Sequence, residues 1–313
     1  MAPFLSIVVL VAGTAARADD KLPLSISHGP IMPFTNAIVA AQMGFFDKQG
    51  LDVKRKVLAS SDVMRAALAS GDIDIVSLST DTLVRAHAQG FDWKLVYQTD
   101  IYDSDRADAI LIGRSDLTFN SVKDLEGKTV AASPGTISES ALRGWIADNG
   151  GDNSKVKSVD IPFAQIIGAL QSKSIDAAHI IEPFMTIALE NGTGRLAFKT
   201  LDDVSKRFLI SGLVAKQSWI DANPEKLKRF IAAMTAATDY LNANPDPVLP
   251  VLSKETKIAP DLLAKMFPVH YVISSKLRAG ELQSMIDFLA KQKQIDKGFS
   301  YKDMVYSDLP IEN

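Results

Sequence analysis

The chain has 313 residues, 47% of them hydrophobic, and a formal net charge of only -3. That is enough apolar material for a large core and for more than one lobe. Interspersed acids and bases exclude the clustered basic face of a nucleic-acid binder, and the lack of cysteine excludes a disulfide framework, a thiol nucleophile and thiol-linked lipid.

The chain opens MAPFLSIVVLVAGTAARADD. Phe4 to Ala12 is apolar but too short to span a bilayer. Ala16-Arg17-Ala18 follows as a small-x-small cleavage signal. Residues 1–18 are therefore predicted to be a signal peptide, with a mature periplasmic chain beginning at Asp19. No Lys or Arg precedes the apolar run, a departure from the usual pattern, and a buried N-terminal strand is the alternative. No later segment is long and apolar enough to insert directly into a membrane. A core of this size lets an exported protein dispense with disulfides.

Leu22 to Ser27 reads as a strand ending at His28-Gly29-Pro30. Thr35 to Met43 reads as a helix stopped by Gly44, and Leu51 to Ala59 as a second strand. Asp62 to Ser70 is a helix capped by Ser61 and ended by Gly71. Ile73 to Leu78 is a buried strand, Asp81 to Gln89 a helix, and Trp93 to Thr99 a strand. The acidic run Asp100, Asp103, Asp105, Asp108 is expected to be a solvated connection. The pattern then recurs, with strands over 128–133, 156–161 and 177–181 and helices over 138–148 and 163–171. Strands alternating with helices of about ten residues predict parallel sheets covered on both faces. "ALASGDIDIVSLST" from Ala67 and "ALQSKSIDAAHIIE" from Ala169 align without gaps, which implies two α/β lobes built alike. "FLISGLVAKQSWI" from Phe208 is strand-like, and Asn223-Pro224-Glu225 opens a helix. The rest, to about Leu289, is predicted to be helical, broken at Pro245, Pro247, Pro250, Pro260 and Pro268, and to return to the first lobe. Crossovers are expected near 103–108 and 203–208. Lobe I would then comprise 19–105 plus 207–313, and lobe II 106–206.

No nucleophile elbow, zinc motif, phosphate loop or dinucleotide fingerprint occurs. His28, His87, His179 and His270 lack metal-ligand spacing, so neither metal nor cofactor is expected. His87 reads as a half-buried packing residue and His179 as a hydrogen-bonded core residue. His28, at a Gly-Pro turn, is a candidate ligand contact. In open parallel sheets, ligands sit beyond the carboxyl ends of strands. There, helix N-termini attract anions and short hydroxyl side chains add donors. Ser79-Thr80-Asp81 is such an end, as are the turn bearing Ser133, Thr136, Ser138 and Glu139, and Glu182-Pro183. Helix capping is the competing role for Thr80 and Ser138. Glu139 and Glu182, if they faced each other, would form a hydrolase-like acid pair.

The stretches "AAQMGFFDKQGLDVKRKVLASSDVMRAALASGDIDIVSL", "SVKDLEGKTVAASPGTISESALRGWIADNG" and "IIGALQSKSIDAAHIIEPFMTIALENGTGRL" resemble the nitrate/sulfonate/taurine and pyrimidine-precursor binding family of ABC-importer substrate-binding proteins. The resemblance covers roughly Pro23 to Pro245. It implies an α/β, type II periplasmic binding protein fold: two doubly wound lobes joined by two crossover segments, with a small-molecule ligand in the cleft. It also implies delivery to a membrane permease and its ATPase, by a chain expected to be a monomer. By position, the family's pocket segments fall on His28 to Asn36, including Phe34, Thr35 and Asn36; on Ser79 to Thr82, including Thr80 and Asp81; on Ser133 to Glu139; and on Glu182-Pro183. Helix ends and hydroxyls favour an anionic solute. Asp81 and Glu139 pull towards an amine-bearing or neutral one. The competing readings are a lyase or hydrolase on the same fold, using Glu139 or Glu182, and a periplasmic sensor partner.

Overall fold

A computed structural model describes residues 21–29, 34–58, 60–266 and 277–312. The predicted signal segment and His270 lie outside them. The chain begins β1 (Leu22–His28), α1 (Thr35–Gln42), α2 (Phe45–Lys48), β2 (Leu51–Val57), α3 (Ser61–Ser70), β3 (Ile75–Ser79), α4 (Thr80–Ala88) and β4 (Trp93–Asp103). It continues β5 (Ala109–Arg114), β6 (Thr129–Ala131), α5 (Ile137–Asp148), β7 (Lys157–Val159), α6 (Phe163–Gln171), β8 (Ala177–Ile181), α7 (Phe184–Glu190) and β9 (Gly194–Phe198). β10 (Arg207–Lys216) precedes α8 (Gln217–Ala222), α9 (Pro224–Ala243), α10 (Pro245–Thr256), α11 (Pro260–Met266) and α12 (Ala279–Lys291).

Two five-stranded sheets result, ordered β2-β1-β3-β10-β4 and β7-β6-β8-β5-β9. In each, the first three strands are parallel and the fourth is antiparallel to both of its neighbours. β3 and β8 hold the same place in their sheets, and they are the strands of the two aligned sequence stretches. The repeat seen in the sequence is therefore architectural. Both strands are buried along nearly their whole length, as strands covered by helices on each side are. α1 and α9 cover one face of the first sheet, through Ile38, Phe230 and Met234. α4 and α12 cover the other, through Leu83, Met285 and Leu289. The second sheet lies between α6 and α5 in the same way. α12 also reaches the second lobe. Its Phe288 ring leaves no room for a Cβ on Gly144 of α5, which would sit 2.3 Å away, and Lys291 pairs with Asp148 at 2.8 Å.

Three expectations are corrected. The strand predicted to end at Thr99 runs on to Asp103, and Asp100 and Asp108 are only 1% and 6% exposed. Only the short turn at 104–106 between them is solvated. Pairing with β10, from Arg207 opposite Asp103 to Lys216 opposite Trp93, overrides the low strand preference of aspartate. In the helical tail, α10 runs through Pro247 and Pro250 without a break, and Pro245 starts it where a missing N–H costs nothing. Asn223 precedes α9, but its amide donates to the Trp219 carbonyl and does not cap the helix.

The β4–β10 pair is irregular where it matters. Leu209 faces Ile101 and Ser211 faces Asp100, so Ile210 is the extra residue of a bulge; Gly212 then faces Gln98, skipping Thr99. Bulges re-aim side chains, and here Ile210, Ser211 and Asp100 all reach one cavity wall. Gly212 permits this close approach, because a Cβ there would lie 2.2 Å from Leu95 Cδ1 and 2.8 Å from the Tyr97 carbonyl oxygen. Gly212→Ala is predicted to destabilise the protein by about 1–3 kcal/mol. Urea unfolding should show the midpoint falling; an unchanged midpoint would mean that the strands separate at no cost.

Candidate functional site in the interlobe cleft

A cavity of about 210 Å³ lies between the lobes. On the first lobe, Ser79, Ser211 and Asp100 form a single row across β3, β10 and β4, with Ser211 in register with both neighbours. Phe34, Met64 and Ile210 supply its apolar surface. On the second lobe, the wall is Ser133, Thr136 and Ser138 from the turn into α5, Phe163 from α6, and His179 and Ile181 from β8.

Of the residues read from the sequence, Phe34, Ser79, Ser133, Thr136 and Ser138 stand on this wall. Their hydroxyls already have protein partners. Ser79 Oγ accepts from the Thr82 N–H at 3.3 Å and so caps α4. Thr136 Oγ1 donates to the Ser133 carbonyl at 2.7 Å, and Ser133 Oγ donates to Asp160 at 2.8 Å. Ser138 Oγ meets His179 Nδ1 at 3.1 Å. Capping thus falls to Ser79, and neither Thr80 nor Ser138 caps by its side chain.

The other candidates lie off the wall. Nδ1 of His28 donates to the Gly29 carbonyl at 2.7 Å and Nε2 receives Arg55 at 3.0 Å; burial pulls its pKa down to about 4 and keeps it neutral. Thr35 and Asn36 are buried inside α1, where Asn36 Oδ1 accepts from the Ala37 N–H at 2.8 Å. Thr80 donates to the Leu209 carbonyl at 2.7 Å, and Asp81 pairs with Arg85 at 3.1 Å. Glu139 is held by the Gly135 N–H and by Arg143, each at 2.9 Å. Glu182 accepts from the Thr186 N–H at 3.1 Å and from its hydroxyl at 2.6 Å. Polar side chains beside helix starts take the nearest free backbone group, and that preference has consumed Glu139 and Glu182.

Asp100, His179, Phe163, Asp160 and Ser211 are among the wall residues the sequence reading missed. One signal was present. In the two aligned stretches, Ser77 matches His179, a polar residue in the middle of each apolar strand, and both line the cavity. The charge pattern also differs from expectation. Among the described wall residues there is no Lys or Arg to receive an anion, while Asp62, Asp100 and Asp160 contribute carboxyl groups. Asp100 and Asp108 hydrogen-bond each other, and burial raises the pKa of both, Asp108 to about 6. Burial raises Glu182 as well, to about 7. It lowers His179 to about 4.

Two lobes joined by two crossovers, with a polar cavity between them, define a periplasmic binding protein fold. The chain belongs to the NMT1/THI5-like family, whose model matches residues 32–247. A Brucella abortus chain, BAB2_1146, which carries the name of a binding protein, is 27% identical over 74% of this chain and 70% of its own length. The alkanesulfonate-binding protein SsuA of Xanthomonas axonopodis pv. citri, bound to MOPS, superposes with a TM-score of 0.76 at 16% identity, covering 92% of this chain and 99% of that one. The nitrate-binding protein NrtA of Synechocystis gives 0.66 at 19% identity, over 78% and 69%.

These shifts set a pH dependence. A histidine with a lowered folded pKa contributes stability that is complete above its unfolded value, about 6.5. His28 and His179 therefore stop mattering above that pH. A carboxyl with a raised folded pKa does the reverse: its contribution is lost as pH rises through that value, near 7 for Glu182 and well above the usual range for Asp100. The melting temperature of the empty protein should fall between about pH 6.5 and pH 8, and Asp108→Asn should flatten the slope. A melting temperature that rises over this window would contradict the assignment.

Proposed function

We propose that this chain is an exported solute-binding protein that captures a small organic molecule in the interlobe cleft and delivers it, as a monomer, to an ABC permease and its ATPase. The observation that carries the reading is a cavity walled by both lobes, in which a buried polar atom of the second, His179 Nε2, has no protein partner. Such an atom is costly unless something pairs it. The names of the sulfonate- and nitrate-binding structures, and of a riboflavin-binding relative, RibY of Chloroflexus aurantiacus, support a small solute. The apolar run Phe4 to Ala12 and the Ala16-Arg17-Ala18 signal support export.

One contact has the look of catalysis, Ser138 against His179. Its geometry serves binding better. A general base needs its second nitrogen oriented by a partner and a pKa near the working pH. Here the second nitrogen has no protein partner, and burial holds the ring near 4.

The test is native mass spectrometry of the protein purified from its own host. The expected result is a chain beginning at Asp19 that releases one small molecule, unchanged, on unfolding. In the same host, deleting the permease should abolish uptake of that molecule. Conversion of the molecule by the protein would establish an enzyme, and uptake surviving the deletion would point to a sensor.

A further inference from the structure

We propose that the captured solute presents an uncharged carbonyl, of the amide or lactam kind, to the Nε2–H of His179. The inference rests on the binding role proposed above and adds the chemical class of the group that is read.

The geometry fixes one donor. His179 is the middle residue of β8, 3% exposed and on the cavity wall. Its Nε2 has no protein partner, and its Nδ1 meets Ser138 Oγ at 3.1 Å. The tautomer is assigned by counting hydrogens. Ser138 is 4% exposed, and His179 is its hydroxyl's one partner among the described residues. If Nδ1–H donated to Ser138, the hydroxyl hydrogen and the Nε2 lone pair would both be left over. If Ser138 donates to Nδ1, only the Nε2–H is left over. Buried polar groups are paired wherever they can be, so the second arrangement is favoured. Burial keeps the ring neutral, with a pKa lowered to about 4. His179 thus offers the cavity a donor, and the solute answers with an acceptor.

The surroundings select the kind of acceptor. A single neutral N–H is a poor counterpart for a buried oxyanion, and there is no Lys or Arg among the described wall residues to assist it. The start of α5, where an anion would otherwise settle, already holds Glu139, whose carboxylate accepts the Gly135 N–H at 2.9 Å. The acceptor that remains is an uncharged one. Beside it the same lobe offers lone pairs. Ser133 spends its hydroxyl hydrogen on Asp160 and Thr136 spends its own on the Ser133 carbonyl, so both oxygens are left as acceptors. A carbonyl with an adjacent N–H, as in an amide or lactam, answers both. Phe34 and Phe163, one from each lobe, give the cavity apolar sides that suit a flat group.

Benzamide, benzoate and benzamidine share a shape and serve as probes. Benzoate offers acceptors but is an anion, and benzamidine, a cation, has no acceptor for His179. Calorimetry on extensively dialysed protein should find benzamide bound at least about tenfold more tightly than either. Long-range proton–nitrogen NMR of histidine-labelled protein should show His179 as the neutral Nε2–H tautomer, with its Nε2 signal moving when benzamide is added. His179→Leu should weaken benzamide about 2- to 12-fold, the loss of one neutral hydrogen bond. His179→Gln should restore it, because its amide can accept from Ser138 and donate to the probe. The ranking and the tautomer are read on the unaltered protein and stand even if a variant fails to fold. An Nδ1–H tautomer, no binding of benzamide, or equal affinity in His179→Leu would each overturn the inference. Benzoate binding as well as benzamide would discard the uncharged group and keep the binding role, whereas absence of any co-purified or imported solute would discard the role itself.

Discussion

The structure turns on two carboxyl groups, Asp100 and Asp108, buried where the chain first leaves one lobe for the other. They are there because β4 pairs with β10 along its whole length, up to Asp103 opposite Arg207. The pairing carries the strand through the polar stretch Gln98-Thr99-Asp100 and on to buried Ile101 and Tyr102. The bulge at Ile210 then turns this end of the pair towards the cleft. A place that is at once a crossover, a sheet edge and a cavity wall thus holds two carboxyl groups that hydrogen-bond each other. Burial raises the pKa of both, so the pair avoids carrying two charges.

The rest of the cleft is best understood by asking which polar groups are already spent. Hydroxyls at strand-to-helix junctions are well placed for a ligand, but they are equally well placed for the nearest backbone group. Ser79 bonds to Thr82, Thr136 to Ser133, and Thr80 to Leu209. These bonds shape the wall and hold it still. A hydroxyl can accept a second bond, so Ser79 and Thr136 remain available, but they are not obliged to find a partner. His179, whose Nε2 is buried without a protein partner, is. The wall is therefore a mixture of preorganised surface and an unsatisfied anchor, which is the arrangement of small-molecule sites in general.

Much of this fold was legible in the sequence. The alternation of strands and helices, the glycine stop after α3, and the two aligned stretches all pointed to paired α/β lobes, and β3 and β8 occupy the equivalent positions that the alignment implied. Local chemistry sets these features, so local patterns reveal them. The site was less legible, because its anchors are set by tertiary pairing. Asp100 sits in an acidic run that reads as solvent-exposed and is buried only because β10, more than a hundred residues later in sequence, returns beside it. Glu139 and Glu182 show the converse. They sit at the right ends of the right elements, yet Gly135, Arg143 and Thr186 hold them away from the cavity.

The central claim is that one solute is held in the cleft between wall residues of both lobes. A crystal structure of the protein with its co-purified solute tests it most directly. The account predicts a single molecule in the cleft, touching wall residues of both lobes, with one atom within hydrogen-bonding distance of His179 Nε2. A solute bound elsewhere, or one in the cleft that leaves His179 Nε2 without a partner, would contradict it.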